Sequence, residues 1–265
     1  MSAWEAVQRS RHARRPGTTF YLDASFDGFR ELHGDRLYRD DPAIVGGFAW
    51  LGRRPIMVVG QECGRAGGDP TLRNFGMPFP EGYHKARRLM RLAEHFRRPI
   101  VTLIDTPGAY PGLAAEARGQ AVAIAELLRC MAGLVVPTVA VVIGQGGSGG
   151  ALAMAFADRV LMLEHATYSV ISPEGCASIL WHSRTAAPEA AEALRLTAAD
   201  ALMLGVVDEV IPEPAGGIAG RPYEAAIRLR RVVGRHLRDL VALTPAERRS
   251  RRDERYAALG TWVER

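Results

Sequence analysis

Short apolar runs alternate with longer stretches of mixed polarity through most of this 265-residue chain. Apolar runs of this length are typical of buried strands, and they occupy residues 43–52, 54–60, 99–105, 138–143 and 159–163. The helical spacing of leucines up to Phe96 predicts an amphipathic helix over 81–98, and a second helix is predicted from about 116 to 134. This alternation predicts an α/β fold with a largely parallel sheet.

The two ends of the chain differ from its middle. Residues 1–25 are basic and loosely patterned, which predicts a short helix and an extended arm. The pattern from residue 222 onwards predicts surface helices to the end of the chain, after a stretch rich in glycine and proline. We therefore predict a basic N-terminal arm (1–25), a central domain (26–220) and a basic helical C-terminal segment (221–265).

Charge and cysteine content narrow the class of protein. The formal net charge is +5, and residues 221–265 carry twelve arginines against six acids. No aromatic residues are interleaved with them as in nucleic-acid recognition, so we expect a solvated helical face or a surface for an acidic partner. The three cysteines, Cys63, Cys130 and Cys176, are far apart in the sequence. They suggest neither a zinc site nor a disulfide framework, and reduced thiols fit a cytoplasmic protein.

A stretch without charge extends from residue 130 to residue 157 and is long enough to cross a bilayer. Pro137 and a cluster of glycines interrupt it, so a buried strand, a loop and a buried helix are expected instead of a membrane span. The N-terminus lacks the apolar stretch of a signal peptide.

Five of the seven residues from Gly144 to Gly150 are glycine, and three interpretations fit them. The pattern G-x-S-x-G around Ser148 is that of a serine nucleophile elbow. The pattern G-x-G-x-x-G, followed by Glu164, is that of a dinucleotide site. Alternatively, glycine N–H groups at a helix start form an oxyanion hole.

Two of these interpretations fit the surroundings poorly. Gly144 and Gln145 follow the strand and predict a turn wider than an elbow, and the downstream histidines, His165, His182 and His236, lie in no recognisably catalytic setting. The predicted helix before Asp158 has only about two turns, which is short for a dinucleotide-binding crossover. The oxyanion interpretation is favoured.

Two long stretches resemble the carboxyltransferase α subunit of multi-subunit bacterial acetyl-CoA carboxylase. They are "IDTPGAYPGLAAEARGQAVAIAELL" and "VVIGQGGSGGALAMAFADRVLMLEHATYSVISPEGCASILW", and the resemblance covers roughly residues 18–217. It implies a crotonase-like ββα spiral. The chain differs from that family at Gln145 and Ala117, where acidic residues are common, and it lacks the family's N-terminal helical extension.

The resemblance implies an activity. Such an α subunit moves a carboxyl group from carboxybiotin, held on a biotin carboxyl carrier protein, to acetyl-CoA or another acyl-CoA, giving malonyl-CoA for fatty acid synthesis. Both the ureido oxyanion and the thioester enolate then need N–H donors, and the family's base is biotin itself. The backbone N–H groups of Gly149 and Gly150 are the expected oxyanion hole. A β-type subunit, in an α2β2 assembly, would complete the site, and no metal is expected on this chain.

Further residues are expected to contact substrate. Gly146, Gly147 and Ser148 belong to the glycine stretch, whereas Gly108, Tyr110 and Pro111 follow the strand at 99–105. Arg73 lies in a long glycine- and proline-rich loop (60–80), where a guanidinium could pair with a CoA phosphate. Two alternatives remain open: a non-catalytic assembly subunit and the subunit of a related acyl-CoA decarboxylase.

Overall fold

A computed structural model describes residues 1–260 of the chain, and within that range eight strands form one sheet. The strands are β1 Asp27–Glu31, β2 Ile44–Leu51, β3 Arg54–Gln61, β4 Ile100–Thr106, β5 Thr138–Gly147, β6 Arg159–Leu163, β7 Thr167–Ser169 and β8 Glu209–Ile211. The helices are α1 Ala3–Ser10, α2 Thr18–Ser25, α3 Pro80–His95, α4 Leu113–Glu116, α5 Gln120–Gly133, α6 Ser148–Ala155, α7 Pro173–Leu180, α8 Ala187–Leu194, α9 Ala198–Met203, α10 Pro222–Val241 and α11 Pro245–Ala257.

The sheet is antiparallel at one edge and parallel through its centre. Its order is β1-β2-β3-β4-β5-β6-β8, and β7 pairs with the far end of β5. Strands β1 to β3 are antiparallel, whereas β3, β4, β5, β6 and β8 run parallel to one another. The expected α/β fold with a largely parallel sheet is therefore confirmed. As a consequence, β4, β5, β6 and β8 all end at the same edge of the sheet.

Helices pack against both the strands and each other because their apolar residues repeat at helical spacing. In α3, Leu89 and Ala93 are fully buried, as the sequence pattern predicted. Strand β4 is buried along its whole length, which explains its continuous apolar sequence. The sequence pattern did not predict β1, whose residues are mostly exposed.

The extended arm predicted within residues 1–25 is wrong. Both α1 and α2 are regular helices, and Tyr21 and Leu22 of α2 are buried in the main hydrophobic cluster. That cluster also takes in Leu229 and Leu240 of α10. Tertiary packing overrides the weak local pattern at this end of the chain. The division into an arm, a central domain and a C-terminal segment stays a prediction.

The basic C-terminal segment is helical as far as the described residues reach, in α10 and α11. Not all of its arginines are solvated, because Arg248 and Arg252 of α11 are buried. They donate to the carbonyl oxygens of Val135 and Leu134 at the end of α5, over 2.7 and 2.5 Å. The part of the predicted segment at 261–265 lies outside the described residues. Among the residues described, no helix is long and apolar enough to cross a membrane.

Candidate functional site

The glycine stretch lies where β5 ends and α6 begins, beside the end of β4. Thr106 of β4 pairs with Gly146 of β5. Strand β5 continues through Gly144 and Gln145 to Gly147 and enters α6 directly at Ser148. The wider turn predicted after Ile143 is therefore wrong, because parallel pairing with β4 and β7 keeps the glycines extended.

Ser148 adopts the sharp conformation of a strand-to-helix turn, with a φ of 54°. This left-handed conformation costs a residue other than glycine about 1–3 kcal/mol. The side chain is exposed, and no side-chain hydrogen bond of Ser148 is found within residues 1–260. The nearest candidate base in sequence, His165, is bonded instead to Glu213. The backbone of the turn therefore resembles a nucleophile elbow, but within the described residues no histidine is hydrogen-bonded to the Ser148 hydroxyl.

Two of the glycines are required by close packing. A Cβ on Gly150 would lie 2.7 Å from both the Ala109 N and the Tyr83 hydroxyl, and one on Gly147 would overlap the Pro107 carbonyl oxygen. The start of α6 thus packs directly on the chain that follows β4, at 107–109. Gly149 differs, because its Cβ position meets only Ile124, at 3.8 Å. The surface above Gly149 is therefore open.

The first turn of α6 has the properties of an anion site. Its N–H groups, which include those of Gly149 and Gly150, have no carbonyl partner within the helix. The helix dipole adds a partial positive charge at this end. On the other side of Gly150, the buried Gln61 amide donates to the Gly150 carbonyl oxygen over 2.8 Å and holds the next peptide, between Gly150 and Ala151. Close packing at Gly147 and Gly150 restricts the backbone on both sides of Gly149, and N–H donors fixed in advance are what oxyanion stabilisation requires.

Gly108 lies next to this turn, whereas Tyr110 lies two residues further along the chain; their contact with substrate stays a prediction. The Gly108 carbonyl carbon is 3.0 Å from the Gly150 Cβ position, and Gly108 itself has a φ of 148° and open space in front of it. The Tyr110 ring packs on Phe79 with 4.4 Å between centroids, and its backbone is held by Gln120 and Pro78.

Pro111, Gly146 and Arg73 differ in their surroundings. Pro111 is exposed, and Gly146 lies against Tyr168 inside the sheet. Arg73 uses its Nη1 to donate to the Pro42 carbonyl oxygen over 2.7 Å, which anchors the loop. Its role toward a CoA phosphate stays a prediction.

A buried ion pair supports the glycine stretch from below, and sequence reasoning missed it. Asp105, at the end of β4, is fully buried and pairs with Arg65. Its Oδ1 also accepts the Gln145 N–H over 3.0 Å. Burial lowers the pKa of Arg65, but the charge of Asp105 outweighs burial and raises it above the ordinary value. Arg65 stays protonated, and the pair joins the ends of β4 and β5.

The N-terminal segment also reaches the site, which no local pattern indicated. Arg11 donates from Nε to the Gln145 Oε1 over 2.9 Å and from Nη1 to the Glu174 carboxylate over 2.5 Å. The hydrogen bond from Arg11 lowers the pKa of Glu174. Glu174 lies in the first turn of α7, which begins at Pro173 with Ser172 as its N-cap. Gln145, which departs from the family pattern, is therefore a structural partner of Arg11.

The dinucleotide interpretation does not agree with the structure. Gly144 and Gly146 lie inside β5 rather than in a turn. Glu164, the acid proposed for a ribose, accepts the Glu213 N–H over 2.8 Å.

Comparison with known proteins identifies the family. Residues 1–260 match the family model described as acetyl co-enzyme A carboxylase carboxyltransferase-like. The acetyl-coenzyme A carboxylase carboxyl transferase subunit alpha of Geobacter metallireducens is 54% identical over 265 residues, which is 100% of this chain and 83% of that protein. The subunits beta/alpha protein of Salinispora tropica is 56% identical over 261 residues, or 97% of this chain. The chain spans only 46% of the length of that relative.

Solved structures show the same fold at low sequence identity. A chain of the transcarboxylase 12S hexamer matches 88% of this chain and 44% of its own length, with a TM-score of 0.71 and 22% identity. A chain of a Pseudomonas malonate decarboxylase hetero-tetramer matches 93% of this chain and 95% of its own, with a TM-score of 0.71 and 17% identity. The fold is the crotonase-like one that the sequence resemblance implied. This chain belongs to the acetyl-coenzyme A carboxylase carboxyltransferase family.

Proposed function

We propose that this chain is the α-type half of a biotin-dependent acyl-CoA carboxyltransferase, which moves a carboxyl group from carboxybiotin to acetyl-CoA and gives malonyl-CoA. The observation that carries the proposal is the pair of N–H groups at Gly149 and Gly150. They lie at a helix N-terminus, are fixed by packing, and face open space at Gly149. Family membership adds the reaction class to this geometry.

Carboxybiotin, when bound, supplies the carboxyl group that is transferred. The glycine stretch fits a planar, anionic group, because the Cβ positions of Gly149 and Gly108 have no neighbour within 3.5 Å that would block approach. The N–H groups of the α6 turn bind the oxygen on which negative charge develops. Loss of one such donor typically lowers the rate by about 10²–10³. The hydrogen bond from Gln61 to the Gly150 carbonyl oxygen holds the next peptide, between Gly150 and Ala151, and so limits rotation of the backbone at Gly150.

The partners belong to the same proposal. A β-type subunit would bind this chain in an α2β2 assembly and complete the site, and a biotin carboxyl carrier protein would deliver the biotin. Relatives in which beta and alpha subunits share one chain support the pairing. We also place the protein in the cytoplasm, in agreement with its three free, buried cysteines.

The test is the reverse reaction of malonyl-CoA with biocytin, run with this chain alone and with a β-type subunit from the same source. We expect turnover only in the mixture. Turnover by the isolated chain would contradict the two-subunit proposal. A complex that assembles but transfers no carboxyl group from malonyl-CoA or its homologues would favour an assembly role instead.

A matched pair of variants tests the site itself. Gly149→Val places a bulky side chain on the first turn of α6 without a close clash, so we expect the complex to assemble with at least 10²-fold lower turnover. Gly133→Val, at the exposed end of α5, also meets open space and should leave turnover unchanged. Equal turnover in both variants would contradict the role of Gly149.

A further inference from the structure

A second cavity, of about 800 Å³, opens at the carboxyl ends of β6 and β8. Four parts of the chain line it: residues within and after α1 (9–15), Glu164 and His165 after β6, the loop 213–220 after β8, and Arg228 of α10. Ligands of open α/β sheets bind at the carboxyl ends of the strands, and the volume lies within the range of small-molecule sites. We call this space the β6–β8 cavity; the proposed function does not use it.

The lining of the β6–β8 cavity is predominantly positive. It contains four arginines and two histidines against two glutamates, namely Arg9, Arg14, Arg15, Arg228, His12, His165, Glu164 and Glu213. The side chains of Arg9 and Arg14 are exposed and form no ion pair with any described residue. Arg228 is partly neutralised, since its Nη2 contacts Glu224 over 2.5 Å. Arg9 and Arg14 therefore provide uncompensated positive charge at the mouth.

Arg15 provides a buried donor at the cavity wall. It is only 1% exposed, and it donates from Nε to the Ile143 carbonyl oxygen over 2.7 Å and from Nη2 to Glu213 over 2.6 Å. Its Nη1 has no hydrogen-bond partner in the described part of the chain. An unpaired buried guanidinium donor is costly, so an anionic acceptor at this wall would stabilise the fold.

His165 is held in one orientation by Glu213. Its Nδ1 lies 2.9 Å from Glu213 Oε2, and its backbone N–H donates to the other carboxylate oxygen over 3.1 Å. Burial raises the pKa of Glu213, but hydrogen bonds from His165 and Arg15 and their charges lower it to about 2. The Glu213 charge is thus compensated within the wall, and the second ring nitrogen of His165 stays available to a ligand. Glu164 is also engaged, by the Glu213 N–H.

The loop on the opposite side offers backbone donors. Gly216 and Gly217 adopt φ values of 85° and 91°, which are readily accessible only to glycine. Between residues 215 and 219, only the Gly217 amide donates a hydrogen bond to a described residue, the Pro214 carbonyl oxygen. Consecutive free amides in such a loop are typical of phosphate-binding concavities.

We propose that the β6–β8 cavity binds the phosphate groups of a small ligand, through Arg9, Arg14, Arg15, His165 and the amides of the 215–219 loop. Phosphate suits a site with several guanidinium and amide donors. The lining has no phenylalanine, tyrosine or tryptophan on which a base could stack. The phosphate could belong to the acyl-CoA substrate or to a separate phosphorylated molecule. This inference does not depend on the proposed carboxyltransferase reaction.

Isothermal titration of the full chain with inorganic pyrophosphate at low ionic strength tests the proposal. We expect saturable binding that the double variant Arg9→Gln/Arg14→Gln weakens by about tenfold or more. The matched control, Arg249→Gln/Arg251→Gln on the exposed face of α11, removes the same charge and should bind like the wild type. His165→Gln, which leaves the buried ion pair of Arg15 and Glu213 intact, should also bind pyrophosphate less tightly.

Two results would overturn the proposal. One is no saturable binding of pyrophosphate to the wild type; the other is an equal loss of affinity in both double variants, which would indicate that only the overall charge matters.

Competition identifies the source of the phosphate. Displacement of pyrophosphate by coenzyme A but not by pantetheine would assign the site to the phosphates of the acyl-CoA. Binding of pyrophosphate that coenzyme A does not displace would assign it to a separate phosphorylated ligand. Failure of carboxyl transfer would leave either result unchanged, because no turnover is measured.

Discussion

Two neighbouring glycines in the α6 turn have different roles, and the space around their Cβ positions distinguishes them. Gly150 has no room for a methyl group, whereas Gly149 does. Gly150 is therefore required for the packing of α6 on the chain after β4, and Gly149 is the better position at which to test binding or catalysis.

Alanine at each position should separate these roles. We expect Gly150→Ala to lower the free energy of unfolding by about 1–3 kcal/mol, because the new Cβ overlaps the backbone at Ala109 and the Tyr83 hydroxyl. Gly149→Ala should leave the free energy of unfolding unchanged or raise it by up to about 1 kcal/mol, because alanine has less conformational freedom than glycine in the unfolded chain. Urea unfolding of both variants measures the difference, and equal stabilities would contradict it.

The buried Glu213 carboxylate should make stability depend on pH. Its folded pKa of about 2 lies below its ordinary value of 4.5, so its contribution is present above pH 4.5 and is lost as the pH falls toward 2. Linkage gives a loss of about 2 kcal/mol between pH 5 and pH 3. We expect Glu213→Gln to remove that part of the pH dependence of urea unfolding. Glu116→Gln, an exposed control, should keep it, and an unchanged slope in Glu213→Gln would refute the assignment.

At the scale of elements, α11 attaches to the fold through two buried arginines, Arg248 and Arg252, and through Tyr256, which stacks on Phe156. Arg252 of α11 is 2% exposed, donates to the Leu134 carbonyl oxygen and lies 3.4 Å from Asp158. Burial raises the pKa of Asp158 despite this partner. The ion pair is therefore needed mainly because each charge is costly without the other.

Replacing Arg252 should show how much the unpaired Asp158 charge destabilises the fold. Arg252→Met leaves Asp158 buried without its counter-charge, and we expect the free energy of unfolding to fall by about 3–5 kcal/mol. Arg251→Met, one residue earlier on the exposed side of α11, should change it by less than about 0.5 kcal/mol. Guanidinium unfolding of both variants measures the contrast. A loss below about 1 kcal/mol in Arg252→Met would show that the pair adds little.

Over the whole molecule, one hydrophobic cluster joins parts of the chain that the sequence pattern separated. It contains Tyr21 and Leu22 near the start and Leu229, Val233 and Leu237 of α10 near the end. Since these side chains cover the central sheet, the segment 26–220 alone would expose apolar surface that is buried in the full chain.

We therefore expect the full chain to unfold in one cooperative transition and the fragment 26–220 to show none. Differential scanning calorimetry of both samples measures this directly. A fragment that unfolds cooperatively near the melting temperature of the full chain would establish the three-part division that the sequence predicted.

The sequence alone predicts the α/β class, most central strands, the position of the glycine stretch and the family. These depend on local periodicity and on contiguous motifs such as "GQGGSGG". Even there, the predicted strand end is wrong, because the extended conformation of residues 145–147 depends on their pairing with β4 and β7.

The contacts between charged residues, in contrast, depend on the three-dimensional fold. Arg15 bonds to Glu213, 198 residues away, and Arg11 reaches Glu174 across 163 residues. Such pairs have no local signal, because each partner looks like a surface charge in its own segment. The fold brings them together, since the carboxyl ends of β4, β5, β6 and β8 share one edge that α1 and the chain after it cover. The glycine stretch can be recognised in the sequence, whereas its supporting ion pairs and the β6–β8 cavity are formed only by the folded chain.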